Sequence, residues 1–314
     1  MLDAAPIEID GERYEFVEEG VDGQQGREGN KISKGKRVSD NKVVVLRQIR
    51  EEISARTLAQ INTAIRVRTA LNGAIDPTTA SEFLCGERRP GQWCATTFIP
   101  GTTLHQIGIS RNAMHFIPSS VRIETALKDI IEILTTTTGW PANLIHRDLK
   151  PENIVVTPKG RYGIIDWEFG ITVEELARMA EEEEDEREKR APGTPQYMAP
   201  EAAARAEWTP ESDDFSVGVM AIETLGLRIH PKNPTDILLE KADGTYRQKL
   251  LEGLAQFEER AKAEALRKGN TFDNHQWGTL RTWALLVMEQ RPQKRPKRAE
   301  ALKFLTDRGN ITEI

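Results

Sequence analysis

Cysteine is nearly absent from this chain: its 314 residues carry two, Cys85 and Cys94. A scaffold stapled by disulfides is thereby excluded. Nine residues apart, the two read as unpaired thiols in a reduced compartment, with a pairing across a hairpin as the alternative. Long apolar runs are missing too, and none approaches the roughly 20 residues of a membrane-spanning helix. The opening stretch MLDAAPIEIDGERYEF lacks the basic start and apolar segment of a secretion signal. The expected location is therefore intracellular, in the cytoplasm, with the nucleus left open by the basic stretch at 291–298. The five histidines (His105, His115, His146, His230, His275) show no ligand spacing, so no metal site built on imidazole is expected. Positive charge is not in excess either. A formal net charge of −6 weighs against a nucleic-acid binder, which needs a net basic face. No internal repeat is visible.

What is present has the 38% hydrophobic and 29% charged content of a soluble globular protein. The length suits one large domain or two lobes sharing a cleft. Residues 1–12 read as a loose leader and 307–314 as a tail. Residues 13–17, Arg-Tyr-Glu-Phe-Val, suit a strand that runs into a glycine-dotted stretch containing Gly20, Gly23 and Gly26. The β-branched run 43–46 predicts a buried strand, and Ile53, Leu58, Ile61, Ile65 and Leu71 have helical spacing over 50–71. Residues 92–99 read as another strand, closed by Pro100-Gly101. Beyond it the pattern turns helical, at 121–137, 213–226 and most of 246–306. Short strands at 154–156 and 162–165 flank the turn Thr157-Pro-Lys-Gly160. The expected fold class is α+β in two lobes, β-rich over about 13–99 and helical over about 101–306.

The chemistry concentrates in His146-Arg-Asp-Leu-Lys-Pro-Glu-Asn153, followed by an apolar strand, a turn and Ile164-Ile-Asp166. Phosphoryl transfer asks a protein to orient the nucleophile and to neutralise phosphate charge. Asp148 can accept the proton of an attacking hydroxyl, and Lys150 can meet the transferring phosphate. Asn153 and Asp166 offer the oxygen ligands that Mg²⁺ prefers.

These residues resemble the eukaryotic-type protein kinases. Residues 146–153 match the family's catalytic loop letter for letter, and the thirteen-residue step from Asn153 to Asp166 is the family's step to its metal-binding aspartate. Gly193-Thr-Pro-Gln-Tyr-Met-Ala-Pro-Glu201 resembles the close of the activation loop. Asp213-Asp-Phe-Ser-Val-Gly218 resembles the start of the buried central helix, with Phe215 where tryptophan is common. Arg295 stands where the family's late arginine pairs with the glutamate matched here by Glu201. The resemblance implies a two-lobed kinase that places Mg²⁺-ATP between its lobes. Asp148, Lys150, Asn153 and Asp166 would be catalytic, with Asn153 and Asp166 on the metal. Lys150 and Thr194 imply transfer to serine or threonine hydroxyls of a protein substrate. Nucleotide contacts are implied for Gly20, Gly23 and Gly26, for Arg47 at the strand-lysine position, and for Thr97 and Phe98 at the hinge, with Thr96 at the back of the pocket.

Several positions depart from the family. The strand lysine is replaced by Arg47, with Lys34, Lys36 or Lys42 as possible substitutes from neighbouring strands. No glutamate lies between Glu52 and Glu82, so the helix that should supply the lysine's partner has none, and only Glu51 or Glu52 is nearby. The family's Asp-Phe-Gly reads Asp166-Trp-Glu-Phe-Gly170 here; Trp167 suits the apolar slot and Glu168 takes the glycine position. These departures keep a non-catalytic scaffold as an alternative. The Ile-Asp-Trp-Glu run resembles small-molecule phosphotransferases of the same fold, a further alternative opposed by Arg147 and the Ala-Pro-Glu segment. The acidic run at 181–188 is expected either as a solvated face or as a stand-in for activation-loop phosphate, since Thr172 is the only hydroxyl between Asp166 and Gly193. The insertion over about 228–275 is a candidate dock for a partner.

Overall fold

A computed structural model describes residues 5–19, 32–113, 117–182, 192–227, 229 and 233–308. It resolves two compact units, one formed by residues 1–101 with 163–171 and the other by 102–162 with 172–314. The first is β-rich and the second helical, the α+β pattern expected. The expected boundary near residue 100 therefore needs one correction: the short stretch around Asp166 returns to the first unit.

The first unit is built on a five-stranded antiparallel sheet in sequential order, β1 Ile7–Ile9, β2 Glu12–Glu19, β3 Ile32–Arg37, β4 Val43–Gln48 and β5 Trp93–Thr97. Alternation decides which side chains it buries. Val44 and Leu46 of β4 are fully buried with Tyr14 and Ala95, while Val45 and Arg47 point to the other face. The loose leader expected over 1–12 is corrected, because β1 pairs with β2 and buries Ile9. Asp10 ties that hairpin onward, accepting from the guanidinium of Arg88 at 2.5 Å and from the Gly86 amide at 2.7 Å.

Residues 82–86 run along the far side of β5, with Leu84 N donating to Ala95 O at 2.8 Å. Cys85 thereby faces Cys94 across the pairing, both as thiols, with their sulfurs 3.0 Å apart. Helix Ala55–Ala70 starts where Ser54 caps the Thr57 amide, and it buries Ile61, Ala64 and Ile65. The stretch 163–171 belongs here because Ile164 exchanges backbone bonds with Thr79 and Ser81, at 2.8 and 3.0 Å.

In the second unit, helices Ser119–Thr138, Pro210–Thr224, Asn274–Val287 and Arg298–Arg308 pack around one core that includes Leu127, Ile130, Leu134, Phe215, Leu280 and Trp283. Helix Pro210–Thr224 is buried from Glu211 to Ile222. A reciprocal cap between Thr209 and Ser212, with Pro210 in the first turn, starts it inside the protein without stranding its end amides. The insertion forms helices Pro234–Asp243 and Thr245–Arg267, which meet at Gly244. Among the described residues no helix is long and apolar enough to cross a membrane.

Candidate active site

The catalytic loop hangs from one buried carboxylate. Asp213, in the first turn of helix Pro210–Thr224 and fully buried, accepts the amides of His146 at 2.7 Å and Arg147 at 3.0 Å. Burial pushes its pKa up to about 6, against the pull of the Arg298 cation and those two amides. Directly after the second amide the chain takes a left-handed turn, with φ +67° at Arg147. For a non-glycine residue such a turn costs on the order of 1–3 kcal/mol and persists only where its surroundings enforce it. The side chain of Arg147 is buried, which pulls its pKa down to about 10 while the Asp213 charge opposes.

The loop delivers Asp148, buried to 6% exposure, into a tight polar set. Its Oδ2 accepts from Lys150 Nζ at 2.5 Å, its Oδ1 from Thr194 Oγ1 at 2.7 Å, and Lys150 also donates to Thr194 Oγ1 at 3.1 Å. Thr194 reaches that position because Gly193 passes over the loop at φ +109°; a Cβ there would lie 2.4 Å from the Arg147 carbonyl oxygen. Only glycine fits. The turn Pro151–Asn153 brings Asn153 back, and its Nδ2 donates to the Asp148 carbonyl at 2.8 Å. With its N–H side spent there, the part of Asn153 left over is its carbonyl oxygen, a donor of the type that hard cations prefer.

In the first unit, Arg47 on β4 pairs through Nη1 with two carboxylates, Glu168 and Asp166, the latter at 3.4 Å. Asp166 sits in a left-handed turn at φ +65°. Trp167 is buried at 2% exposure, its Nε1 donates to Ile164 O at 3.2 Å, and Arg68 lies over its ring. It fills the apolar slot as expected. Lys34 and Lys36 share a face with Arg47, since they pair with Val45 and Val43, and Lys34 Nζ stands 5.1 Å from the centre of the Phe98 ring. Lys42 lies in the turn before β4. Thr96 is on that same face.

Thr97 pairs with the neighbouring stretch through its amide and hydroxyl. Its N–H donates to Glu82 O and its hydroxyl accepts from Glu82 N, both at 2.9 Å. Glu51, offered as a partner for Arg47, packs against Gly91. Gly20, Gly23 and Gly26, and residues 183–188 of the acidic run, lie outside the described residues.

The profile of the protein kinase domain matches residues 95–303, more than half of the chain. The chain belongs to the protein kinase family. Among its relatives, the serine/threonine-protein kinase pkn3 of Myxococcus xanthus is 29% identical over 223 residues, which cover 68% of this chain and 38% of the relative. The serine/threonine-protein kinase PknA of Mycobacterium tuberculosis is 39% identical over 84 residues, 27% of this chain and 18% of the relative. The proline-rich receptor-like protein kinase PERK1 of Arabidopsis thaliana is 25% identical over 219 residues, 69% of this chain and 32% of the relative. This kinase domain thus spans less than two fifths of the length of these curated relatives. The profile match begins after the stretch that holds the glycines, Arg47 and the glutamate-free helix.

Two other features of this kinase domain concern the segment after Gly193. The Glu201–Arg295 pair implied by the resemblance forms bidentately, at 2.7 and 2.8 Å, with both side chains buried. Lys241, in the insertion, carried no sequence signal. It is fully buried and donates to the carbonyls of Pro195, Gln196 and Met198 at 2.9, 2.8 and 2.5 Å, between the rings of Phe215 and Tyr246. Burial pulls its pKa well below that of an ordinary lysine. The inner side of the insertion is therefore structural. Thr172 spends its hydroxyl oxygen on the Glu175 amide at 3.3 Å, at the start of helix Val173–Glu182.

Proposed function

We propose that this chain is an ATP-dependent protein kinase that transfers the γ-phosphate to serine or threonine hydroxyls of protein substrates. The observation that carries this reading is the Asp148–Lys150–Thr194 set, in which each carboxylate oxygen of Asp148 has its own donor. Held in that way, the carboxylate is oriented to receive the proton of an attacking hydroxyl. Lys150, beside it, brings a positive charge to the phosphoryl group in transit. Asn153, with its carbonyl oxygen uncommitted to the loop, and Asp166, with a side chain 33% exposed, are oxygen donors suited to Mg²⁺. A Mg²⁺ ion held by these two residues would supply positive charge to the phosphates of ATP. Thr97 and Phe98, with Thr96 behind them, are the proposed surroundings of adenine. Lys150 with Thr194 supports serine or threonine over tyrosine.

The substrates of the relatives are not carried over, since this chain matches only part of their length. An intracellular location belongs to the same proposal and rests on the cysteine-poor composition.

The test is Mg²⁺-dependent transfer from ATP to a generic protein such as casein, with Asp148→Asn in parallel. The variant should lose roughly 10²–10⁴-fold in rate, the weight of a general base, while still gaining thermal stability from Mg²⁺-ATP. A natural chain that transfers no phosphate and is not stabilised by ATP would instead establish the scaffold reading.

A further inference from the structure

Two departures from the kinase pattern meet in the first unit. Arg47 replaces the strand lysine, and Glu168 replaces the glycine two residues after Asp166. Each looks like a loss when read along the chain, yet the two side chains form an ion pair with each other. The helix that would ordinarily supply the carboxylate has reversed its sign. Ala55–Ala70 has no acidic residue in its first turn, and it sends a buried cation, Arg68, toward Ala80 O at 3.2 Å and the Trp167 ring at 5.7 Å.

The turn after Asp166 explains how the carboxylate reaches Arg47. Trp167 is anchored beneath Arg68, and Gly170 N donates to Trp167 O at 2.9 Å. A Cβ on Gly170 would lie 2.9 Å from the indole, so the turn closes only on glycine. With the residue between them pinned inward, Asp166 and Glu168 both meet the guanidinium.

We infer that Glu168 is a positioning residue: it holds Arg47 ready for the phosphates of ATP and, as its closer partner, limits that guanidinium to a long 3.4 Å contact with Asp166. The inference rests on the kinase reading above. An arginine suits this arrangement and a lysine would not. Both carboxylates meet the same nitrogen, Nη1. That leaves Nε and Nη2 of the planar fork as donors for phosphate oxygens, whereas an ammonium presents a single point of charge. Without Glu168 the nearest carboxylate for Arg47 is Asp166. A cation seated there competes with Mg²⁺ for the same oxygens. Arg47 and Glu168 are therefore interdependent, and together they replace the pairing of strand lysine and helix glutamate.

The experiment is calorimetric titration of Mg²⁺-ATP into the chain and its Arg47→Ala, Glu168→Gln and doubly substituted variants, with thermal melts in parallel. Glu168→Gln should weaken binding by roughly ten- to a hundred-fold, the weight of a charge-assisted contact, and raise the Mg²⁺ concentration needed for half-saturation. The double variant should bind within about threefold of Arg47→Ala alone, because the two act as one unit. The charge-exchanged variant, Arg47→Glu with Glu168→Arg, should recover the melting temperature without recovering Mg²⁺-ATP binding. Parental affinity in Glu168→Gln, or in Glu168→Ala if the first variant fails to fold, overturns the inference. So does full recovery of binding by the exchanged pair, which would make it a structural bond only. A parent chain that binds no Mg²⁺-ATP is a separate result: it removes the kinase reading itself, and this inference with it.

Discussion

Asp213 shows how one buried residue can tie catalysis to stability. It carries the catalytic loop on two amide bonds, so it serves that loop best as a carboxylate, yet burial raises its pKa from 3.8 to about 6. Between those values the folded protein keeps a proton that the unfolded chain has released. Unfolding then releases a proton, and stability falls as pH rises. The contribution is complete below about pH 4 and lost above about pH 6, and it amounts to roughly 3 kcal/mol. Asp214, raised by burial in the same way, adds a slope of the same sign. Urea unfolding at several pH values should therefore show the natural chain losing stability relative to Asp213→Asn between pH 4 and 7. A constant difference across that range would show that Asp213 titrates normally.

At the scale of elements, the insertion acts on the segment it packs against. Helix Pro234–Asp243 inserts Lys241 beneath residues 195–198, and its three bonds go to carbonyls that belong to no helix or sheet. Replacing it with Met keeps the length but leaves those carbonyls without their buried donor. Lys241→Met is expected to cost about 2–5 kcal/mol. It should also raise the KM for a protein substrate several-fold and change the KM for ATP less, since Arg47 and Asp166 lie in the other unit. Denaturant midpoints and two-substrate kinetics check both parts. An unchanged midpoint would mean that the carbonyls find other donors.

At the scale of the molecule, the chain departs in two places from a loose leader followed by two lobes divided at residue 100, and both reflect packing. The stretch 163–171 joins the first unit through Ile164, Trp167 and the carboxylates on Arg47. The supposed leader is an edge hairpin of the sheet. Removing residues 1–10 should therefore destabilise the first unit by about 2–3 kcal/mol for the burial of Ile9 alone. It should also leave the guanidinium of Arg88, 7% exposed, without Asp10. Partial proteolysis of the shortened chain should cut within residues 32–97 before it cuts in the helical unit. Equal resistance of the full and shortened chains would restore the leader reading.

What could be read in advance followed local rules. The loop 146–153 and the step to Asp166 were legible because a polar motif keeps its spacing along the chain. The strand at 43–46 and the helix at 121–137 were legible because a β-branched run and an apolar pattern at helical spacing are short-range signals. Glycine at 193 was visible as part of a motif, although its reason, the Arg147 carbonyl 2.4 Å from a Cβ, was not. The rest depended on residues that are distant in sequence. Arg47 and Glu168 stand 121 positions apart and Lys241 lies 43 from the nearest carbonyl it holds, separations that no local period encodes. The hinge position of Thr97 was visible, whereas its pairing with Glu82 was not. The sequence by itself determined the chemistry available, because catalytic groups must be of particular types at particular spacings. Only the tertiary structure decided which charge answers which, because a buried ion must find its partner wherever the fold brings one within reach.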